Sequence, residues 1–405
     1  MSRLSLKREF LTVYQPLSGC KVIDCSRLLP YQYCTLLLGD LGAEVLKIEE
    51  PGRGDYGRWN DFNEPGRERL AFPMANRNKK SLTLNLKEKG GRDILLKLAE
   101  KYDVLLETFR PGAMERLGLD YPSVRVRNPR IIYCSGTGFG QTGPYRLKAG
   151  HDINYISLSG ILGVSGIQTG RPVIPGVPFA DMVGGGVFTA LAIIAALLGR
   201  EKTGKGKYID VAMTDVMASL NIMNIAIALT QRGGRRMMPY SVRGLSLCYN
   251  VYQTKDGKFV SIGDLEAKFW KNFCKAIGRE ELTDKQYQNY QDGDKTTESL
   301  KALFSSKTQT EWVEFMKGVD DCFSPVYFPE ETLDDPHLKS RGMITTMADP
   351  KRGETVQIGF PALFSEELNY KRSPAPFLGE NTKEILQELG YSMEEIEKLK
   401  SDGTI

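Results

Sequence analysis

The stretch Lys21-Val22-Ile23-Asp24-Cys25, followed after a helical run by Glu44-Val45-Leu46-Lys47-Ile48, decides the fold. Both segments read as strands, and Gly39 or Gly42 ends the helix between them. Further strands are predicted at 81–84, 103–107 and 130–134, with a helix at 91–102. Strands that alternate with helices of about ten residues are typical of βαβ units. The sequence therefore predicts an α/β protein with a parallel sheet.

The second half of the chain has a different pattern. After an apolar helical segment at 210–229, the basic run Gln231–Arg236 has the composition of a linker. In residues 247–262, apolar and polar side chains alternate on both sides of the turn Asp256-Gly257, which predicts a hairpin. Helices are predicted after it at 269–277 and 310–317. Ser392 and Glu395 have capping-box spacing before a charged helix. A smaller α+β domain is expected here.

Length and composition limit the functional classes. A chain of 405 residues with 41% apolar and 26% charged residues predicts a globular protein with two domains. A net charge of +4 argues against a dedicated nucleic-acid surface but allows a local basic site. The seven scattered cysteines indicate neither a metal site nor a disulfide framework, so we expect a reducing, cytoplasmic location. No apolar segment of a signal peptide follows Lys7 and Arg8. The apolar run 182–198 is short for a bilayer span and predicts a core helix.

Two candidate proton carriers lie in the stretch Gly150–Gly186. His151 is one of two histidines in the chain, and Asp181 precedes three glycines at a predicted helix start. An imidazole and a carboxylate can act as an acid/base pair. Taken alone, however, His151 fits a hydrogen-bonded loop residue and Asp181 fits a helix N-cap.

Two glycine-rich segments resemble nucleotide-binding loops but do not fit them. The segment Gly199–Lys205 has Gly206 where a P-loop needs Ser or Thr, and it follows a helix. The segment Gly136–Gln141 follows a strand but lacks the third glycine of the dinucleotide fingerprint. We expect a turn there, with exposed N–H groups able to hold an anion or a carbonyl oxygen.

Several long motifs, in order, resemble the family III CoA-transferase/racemase proteins, also called the CaiB/BaiF type. They are Gly39-Asp40-Leu41-Gly42-Ala43-Glu44-Val45-Leu46-Lys47-Ile48-Glu49, Phe109-Arg110-Pro111-Gly112, Gly138-Phe139-Gly140-Gln141-Thr142-Gly143-Pro144, the stretch from Gly150 to Gly186, Thr203-Gly204-Lys205-Gly206, Leu265–Trp270 and Asp335-Pro336-His337. The resemblance implies a Rossmann-like large domain, a smaller α+β domain and an interlocked homodimer with its active site between subunits. The implied divisions are 1–225 for the N-terminal part of the large domain, 226–330 for the linker and small domain, and 331–405 for a segment returning to the large domain.

The resemblance also implies the chemistry. Asp181 is expected in both branches of the family, as a nucleophile in transferases and as half of an acid/base pair in racemases. His151 would be the other half, and Glu266, expected from the partner subunit, would orient it. These residues favour a racemase or epimerase that inverts the α-carbon of 2-methyl-branched acyl-CoA thioesters. The alternatives are a CoA-transferase that uses Asp181 and a non-catalytic acyl-CoA-binding protein.

Coenzyme A is expected as part of the substrate, with no metal or redox cofactor and no nucleic-acid or membrane partner. The resemblance places Arg110, Lys79 and Lys80 near the phosphates and adenine of CoA. Glu50 stands where some racemases have an arginine for CoA, and Lys47 or Arg53 would compensate for it. Glycines before the apolar helix would let the thioester approach the backbone, and the N–H groups near Asp181 and Met182 would hold the enolate oxygen. The predicted binding residues are Lys47, Lys79, Lys80, Phe109, Arg110, Ala113, Asp152, Tyr155, Gly184 and Gly185.

Overall fold

The computed structural model describes residues 14–59, 68–166, 170–230, 244–365 and 373–405. Its main feature is a six-stranded sheet in the order β3-β2-β1-β4-β5-β6, in which every neighbouring pair is parallel. The strands are β1 (Lys21–Cys25), β2 (Glu44–Glu49), β3 (Lys79–Thr83), β4 (Val104–Glu107), β5 (Ile132–Thr137) and β6 (Lys207–Ala212). This confirms the predicted α/β class. The order has the Rossmann topology, which reverses between β1 and β4.

Helices connect and follow these strands. They are α1 (Leu29–Asp40), α2 (Ala71–Asn76), α3 (Lys89–Ala99), α4 (Ala113–Leu117), α5 (Tyr121–Arg127), α6 (Asp152–Leu158), α7 (Ile161–Val164), α8 (Thr189–Thr203), α9 (Met213–Leu220) and α10 (Ile222–Thr230). A 3₁₀ turn spans Tyr56–Arg58, and a π-helical stretch, Ala180–Phe188, runs directly into α8.

The remaining elements follow the linker region. The helices are α11 (Ala267–Ala276), α12 (Lys295–Phe304), α13 (Gln309–Met316), α14 (Pro329–Thr332), α15 (Pro336–Ser340), α16 (Thr382–Glu388) and α17 (Met393–Ser401), with a 3₁₀ segment at Glu280–Lys285. The strands are β7 (Tyr249–Gln253), β8 (Phe259–Gly263), β9 (Phe323–Val326), β10 (Ile344–Asp349) and β11 (Gly353–Ile358). The predicted hairpin is confirmed, since β7 and β8 pair antiparallel. The capping box at Ser392 is also confirmed.

The chain divides into two compact units. The first comprises Met1–Ser159, Pro175–Ser219 and His337–Ile405, and the second comprises Gly160–Ile174 and Leu220–Pro336. The sequence placed the divisions at 225 and 330 and did not set 160–174 apart. The predicted linker Gln231–Arg236 lies outside the described residues.

Each unit has its own apolar core. In the first, Ile23, Leu46 and Leu105 of the sheet are fully buried together with Ile94 of α3 and Leu386 of α16. The backbone N–H of Ser81 donates to Asn381 Oδ1 at 3.0 Å, which joins the C-terminal segment to the edge strand β3. In the second unit, Trp270, Phe273, Phe304 and Trp312 form a continuous aromatic core.

The π-helical stretch lies unusually close to α1. A Cβ atom on Gly185 would lie 2.5 Å from Pro30 Cβ, and one on Gly186 would lie 2.7 Å from Tyr33 Cδ1. Gly184 faces Met213, whose Cα would be 3.2 Å from such an atom. The expectation that Gly184 and Gly185 admit a thioester is therefore wrong. Their open sides are filled by protein, and the glycines allow two helices to pack backbone against side chain.

The continuous helical segment Ala180–Thr203 is long and apolar enough to cross a membrane by length and composition alone. The core helix of a soluble protein passes the same test, so the finding carries little weight. Its buried residues include Ala190, Ile193 and Leu197, which contact protein as a core helix does. Val187, Phe188, Leu191 and Leu198 are exposed on the same segment.

We predict that Gly185→Ala destabilises the protein by about 1–3 kcal/mol or more, because the added methyl group overpacks the contact with Pro30. Gly199→Ala is the matched control, since Gly199 lies in α8 with nothing within 4 Å of an added Cβ. That change should stabilise the protein by about 0.5–1 kcal/mol through helix propensity. Urea denaturation measures both, and equal effects of the two substitutions would contradict the packing interpretation.

Candidate active site

A cavity of about 790 Å³ opens at the carboxyl ends of β4 and β5. Ligands of open parallel sheets bind at this edge, beside the point where strand order reverses. His151 and Asp181 both line the cavity, together with Tyr31 and Tyr155. The structure therefore brings together the two proton carriers that the sequence singled out.

Asp181 is the second residue of the π-helical stretch and is half-buried. Burial, followed by the negative charge of Asp152, raises the pKa of Asp181 to about 6. A carboxyl group in such surroundings can hold or release a proton close to neutral pH. Asp181 has the electrostatic surroundings of a general acid or base.

The backbone N–H groups beside Asp181 are already bonded. Those of Ala180 and Asp181 donate to Asp152 Oδ1 at 2.6 and 3.1 Å, and that of Met182 donates to the Pro178 carbonyl at 2.9 Å. The expectation that the Asp181 and Met182 N–H groups hold an enolate oxygen is wrong for this geometry, because protein acceptors occupy both. Asp152 acts as the cap of this helix start.

His151 is the exposed N-cap residue of α6. Its backbone N–H donates to Asn154 Oδ1 at 3.0 Å, and the Asn154 N–H donates to its carbonyl at 2.8 Å. The carbonyl of Gly150, the residue before His151, accepts a hydrogen bond from the Tyr155 hydroxyl at 2.5 Å. These bonds fix the backbone on both sides of the imidazole at the cavity wall.

The glycines at the end of β5 and directly after it serve packing rather than anion binding. A Cβ atom on Gly136 would lie 2.1 Å from the Tyr31 ring, and one on Gly138 would lie 2.2 Å from the Tyr155 ring. The Gly140 N–H donates to Thr137 Oγ1 at 2.9 Å, and the Gln141 N–H donates to Asp210. The predicted anion-binding turn is therefore wrong at these two N–H groups. The glycines let the two tyrosines lie against the cavity floor.

A second cavity, of about 450 Å³, lies at the carboxyl ends of β1, β2 and β4. Arg27, Tyr56 and Phe109 line both cavities. The Arg27 guanidinium lies 4.9 Å from the Tyr56 ring centre and 5.5 Å from that of Phe109, and it donates to the Tyr56 hydroxyl at 2.6 Å. The Arg53 guanidinium also lies over the Tyr56 ring, 4.5 Å from its centre. A shared wall of guanidinium and aromatic groups thus separates the cavities.

Comparison with known proteins identifies the family. The family model of CoA-transferase family III matches residues 17–382. The chain belongs to CoA-transferase family III. It is 35% identical to human alpha-methylacyl-CoA racemase over 96% of this chain and 97% of that protein. It is also 34% identical to succinyl-CoA:glutarate CoA-transferase of Mus musculus, over 96% and 90% of the two chains. A CAIB/BAIF family protein from Brucella suis has a similar structure, with a TM-score of 0.79 and 29% identity, over 93% of this chain and all of that one.

Three lysines predicted to contact CoA, Lys79 and Lys80 from the family resemblance and Lys47 as compensation for Glu50, have other partners in the structure. Lys47 is buried, 2.8 Å from Asp55, and Lys79 is buried between Asn76 Oδ1 at 2.9 Å and the Gln32 carbonyl at 3.0 Å. Lys80 forms an ion pair with Glu384 at 2.8 Å. None of the three lines either cavity. For Lys47 and Lys79 the structure corrects the predicted contact with CoA, because buried ammonium groups would have to leave their internal partners to reach a phosphate. Lys80 is partly exposed, and its contact with CoA stays a prediction.

The other predicted binding residues lie closer to the cavities. Arg110 is exposed and lines the larger cavity, Ala113 lines the smaller one, and Tyr155 lines the larger one. Glu50 lines the smaller cavity and pairs with Arg27 at 3.6 Å, while Arg53 lines the same cavity. Of the two residues expected to compensate for Glu50, Arg53 lines this cavity and Lys47 does not.

Glu266 is exposed at the start of α11, in the second compact unit. Its expected role toward His151 of another subunit stays a prediction. Arg27 and Tyr56 were missed by sequence reasoning. Ligands of open parallel sheets bind beyond the carboxyl ends of the strands, and Arg27 follows the end of β1, so its position after a predicted strand is a signal that could have found it. Tyr56 carries no comparable signal.

The raised pKa of Asp181 predicts a pH-dependent stability difference. The folded state favours the protonated form, so its contribution to stability is present below pH 3.8 and is lost as pH rises through about 6. Asp181→Asn should therefore be more stable than wild type at pH 7.5 by about 1–2 kcal/mol, with solvent screening taken into account. Urea denaturation at pH 7.5 and pH 4.5 measures the free energy of unfolding of both proteins. The difference between Asp181→Asn and wild type should be smaller at pH 4.5. Asp93→Asn, at an exposed position, is the control. A stability difference between Asp181→Asn and wild type that does not change with pH would refute the interpretation.

Proposed function

We propose that the protein is a racemase or epimerase of 2-methyl-branched acyl-CoA thioesters. The observation that carries this proposal is that His151 and Asp181 line one cavity. They reach it from two different helix starts, α6 and the π-helical stretch. Inversion at a carbon next to a thioester needs two proton carriers that act from opposite faces. The similarity to human alpha-methylacyl-CoA racemase supports the same reaction.

The reaction follows from the two groups. For one enantiomer, the Asp181 carboxylate takes the α-proton, and the C–H electron pair moves into the thioester to form an enolate. The His151 imidazolium then delivers a proton to the opposite face, and the enolate electrons form the new C–H bond. For the other enantiomer the roles are exchanged. The pKa of Asp181, raised to about 6, lowers the cost of moving a proton between carboxylate and imidazole.

The smaller cavity is the proposed site of the CoA nucleotide. Arg27, Arg53 and Arg116 line it, and guanidinium groups pair well with phosphates. Arg27, Tyr56 and Phe109 line both cavities, so a nucleotide bound in the smaller cavity would lie next to the larger one, which holds the acid/base pair. CoA enters as part of the substrate, and the proposed steps require no metal or redox cofactor. The seven cysteines are all free, which fits the proposed cytoplasmic location.

A family III CoA-transferase is the second candidate. Transferases with 34% and 32% identity cover the chain as fully as the racemases do. In this reaction the Asp181 carboxylate attacks the thioester carbonyl and expels the CoA thiolate, leaving a mixed anhydride. The thiolate then attacks the Asp181 carbonyl and releases the first acid, and an acceptor acid reverses the sequence. This route uses Asp181 but assigns no proton transfer to His151.

Exchange of the substrate α-proton with D₂O, without any acceptor acid, is the expected result for a racemase. His151→Ala should reduce the exchange rate by about 10²–10⁴-fold, the usual contribution of a general acid or base. His337→Ala is a matched control, since His337 is the chain's other histidine and is exposed in α15. NMR of 2-methylacyl-CoA in D₂O measures the rate.

Other outcomes separate the alternatives. Absent exchange, with CoA moving to a free carboxylate and hydroxylamine trapping Asp181, would establish the transferase. Binding of acyl-CoA with neither activity would identify a non-catalytic binding protein. The Asp181→Asn variant should abolish both activities, so the comparison with His151→Ala distinguishes them.

We also propose a homodimer. Val187, Phe188, Leu191 and Leu198 are between 42% and 63% exposed on one helical segment, and large apolar side chains grouped in this way are typical of interaction surfaces. A second copy fits because the family resemblance implies an interlocked dimer in which Glu266 reaches His151 of the other subunit. The exposed apolar surface is the structural support for this assembly, and the role of Glu266 would follow from it.

Leu191→Asp should shift the protein from dimer to monomer or disordered aggregate, because the interface would bury an unpaired carboxylate. Lys202→Asp, in the exposed last turn of α8, is the control and should leave the dimer intact. Sedimentation velocity measures both. A monomeric wild type, or an unchanged dimer of Leu191→Asp, would contradict the assignment of this surface.

A further inference from the structure

Asp152 connects the two proton carriers. It is the first residue of α6 and directly follows His151, while its carboxylate reaches the start of the π-helical stretch. There Oδ1 accepts the Ala180 and Asp181 N–H groups at 2.6 and 3.1 Å. Helix-start N–H groups have no partner within their own helix, so a carboxylate supplied by another helix holds them in place.

We propose that Asp152 is a positioning residue, which fixes the Asp181 carboxyl group relative to His151 by holding the N–H groups of Ala180 and Asp181. This inference rests on the proposed proton transfer between those two residues. His151 and Asp152 are neighbours in the chain. His151 carries the imidazole, and the side chain of Asp152 holds the turn that carries Asp181. A displacement of Asp152 would change the separation of the two reacting groups.

The charges around Asp181 give Asp152 its second effect. Its negative charge, after burial, raises the pKa of Asp181 to about 6. Tyr155 from α6 and Tyr31 from α1 face the same carboxyl group, and burial is the main cause that raises the pKa of each hydroxyl. Both therefore remain neutral when Asp181 titrates. His151 lines the same cavity from the start of α6. Asp152 is thus the neighbouring carboxyl group that acts on the pKa of Asp181.

Two substitutions separate position from charge. Asp152→Asn keeps an oxygen acceptor for the N–H groups but removes the charge, so the pKa of Asp181 should fall. The low-pH limb of kcat/KM for α-proton exchange should move down by roughly half to one pH unit, and kcat at pH 8 should fall less than in Asp152→Ala. Asp152→Ala also removes the acceptor, and kcat should fall roughly 10–100-fold at every pH with little change in KM.

A second readout makes the test independent of activity. Titration of the Asp181 carboxyl by ¹³C NMR, assigned with Asp181→Asn, should show a lower pKa in Asp152→Asn and no change in Asp93→Asn. If the wild type shows no exchange, the proposed function fails while the titration still decides the role of Asp152. An unchanged titration, or an Asp152→Ala protein that differs from wild type only by a raised KM, would overturn the proposal. Thermal unfolding of each variant verifies folding.

Discussion

The close approach of the π-helical stretch to α1 is the constraint on which the site depends. Gly185 and Gly186 present bare backbone to Pro30 and Tyr33, so the two segments lie nearer than side chains would permit. This contact fixes where the first turn of the stretch emerges, and Asp181 is in that turn. A π-helical start is rare in general and often occurs at functional sites. Here the glycines explain how it fits the fold.

A second constraint is the buried charge network under the smaller cavity. Asp24, Lys47, Asp55 and Lys79 are buried together, and Arg58 pairs with Glu49 at 2.7 Å. Loss of one partner from such a network leaves an uncompensated charge in the interior and is strongly destabilising. The network holds the chain after β1 and β2 in place, and so positions Arg27 and Tyr56 on the cavity wall. Lys47 and Lys79 are therefore part of the buried structure beneath the proposed binding wall.

These two constraints explain how far the sequence could be read. Apolar runs locate strands well, and β1, β2 and β4 begin and end within a residue or so of the predicted segments. Burial of a charged side chain depends on carboxylates from distant segments, so Lys47 and Lys79 were predicted at a ligand when Asp55 and Asp24 already neutralise them. The three glycines were read as space for a ligand because a sequence does not show that α1 fills it. His151 and Asp181 were found because rare residue types and family motifs coincide.

The choice between the two family III reactions depends on what Asp181 faces. A carboxylate whose pKa is raised by burial is a better base and also a better nucleophile once ionised, so its surroundings serve both reactions. The difference lies on the other wall of the cavity. There the backbone of His151 is held by Asn154, and the adjoining Gly150 carbonyl is held by Tyr155. A transferase acting through an aspartyl adduct has no need for an imidazole in the cavity, whereas a racemase needs a second proton carrier opposite the first. The proposed proton transfer, as distinct from acyl transfer, therefore rests on the placement of His151 at the wall of the same cavity.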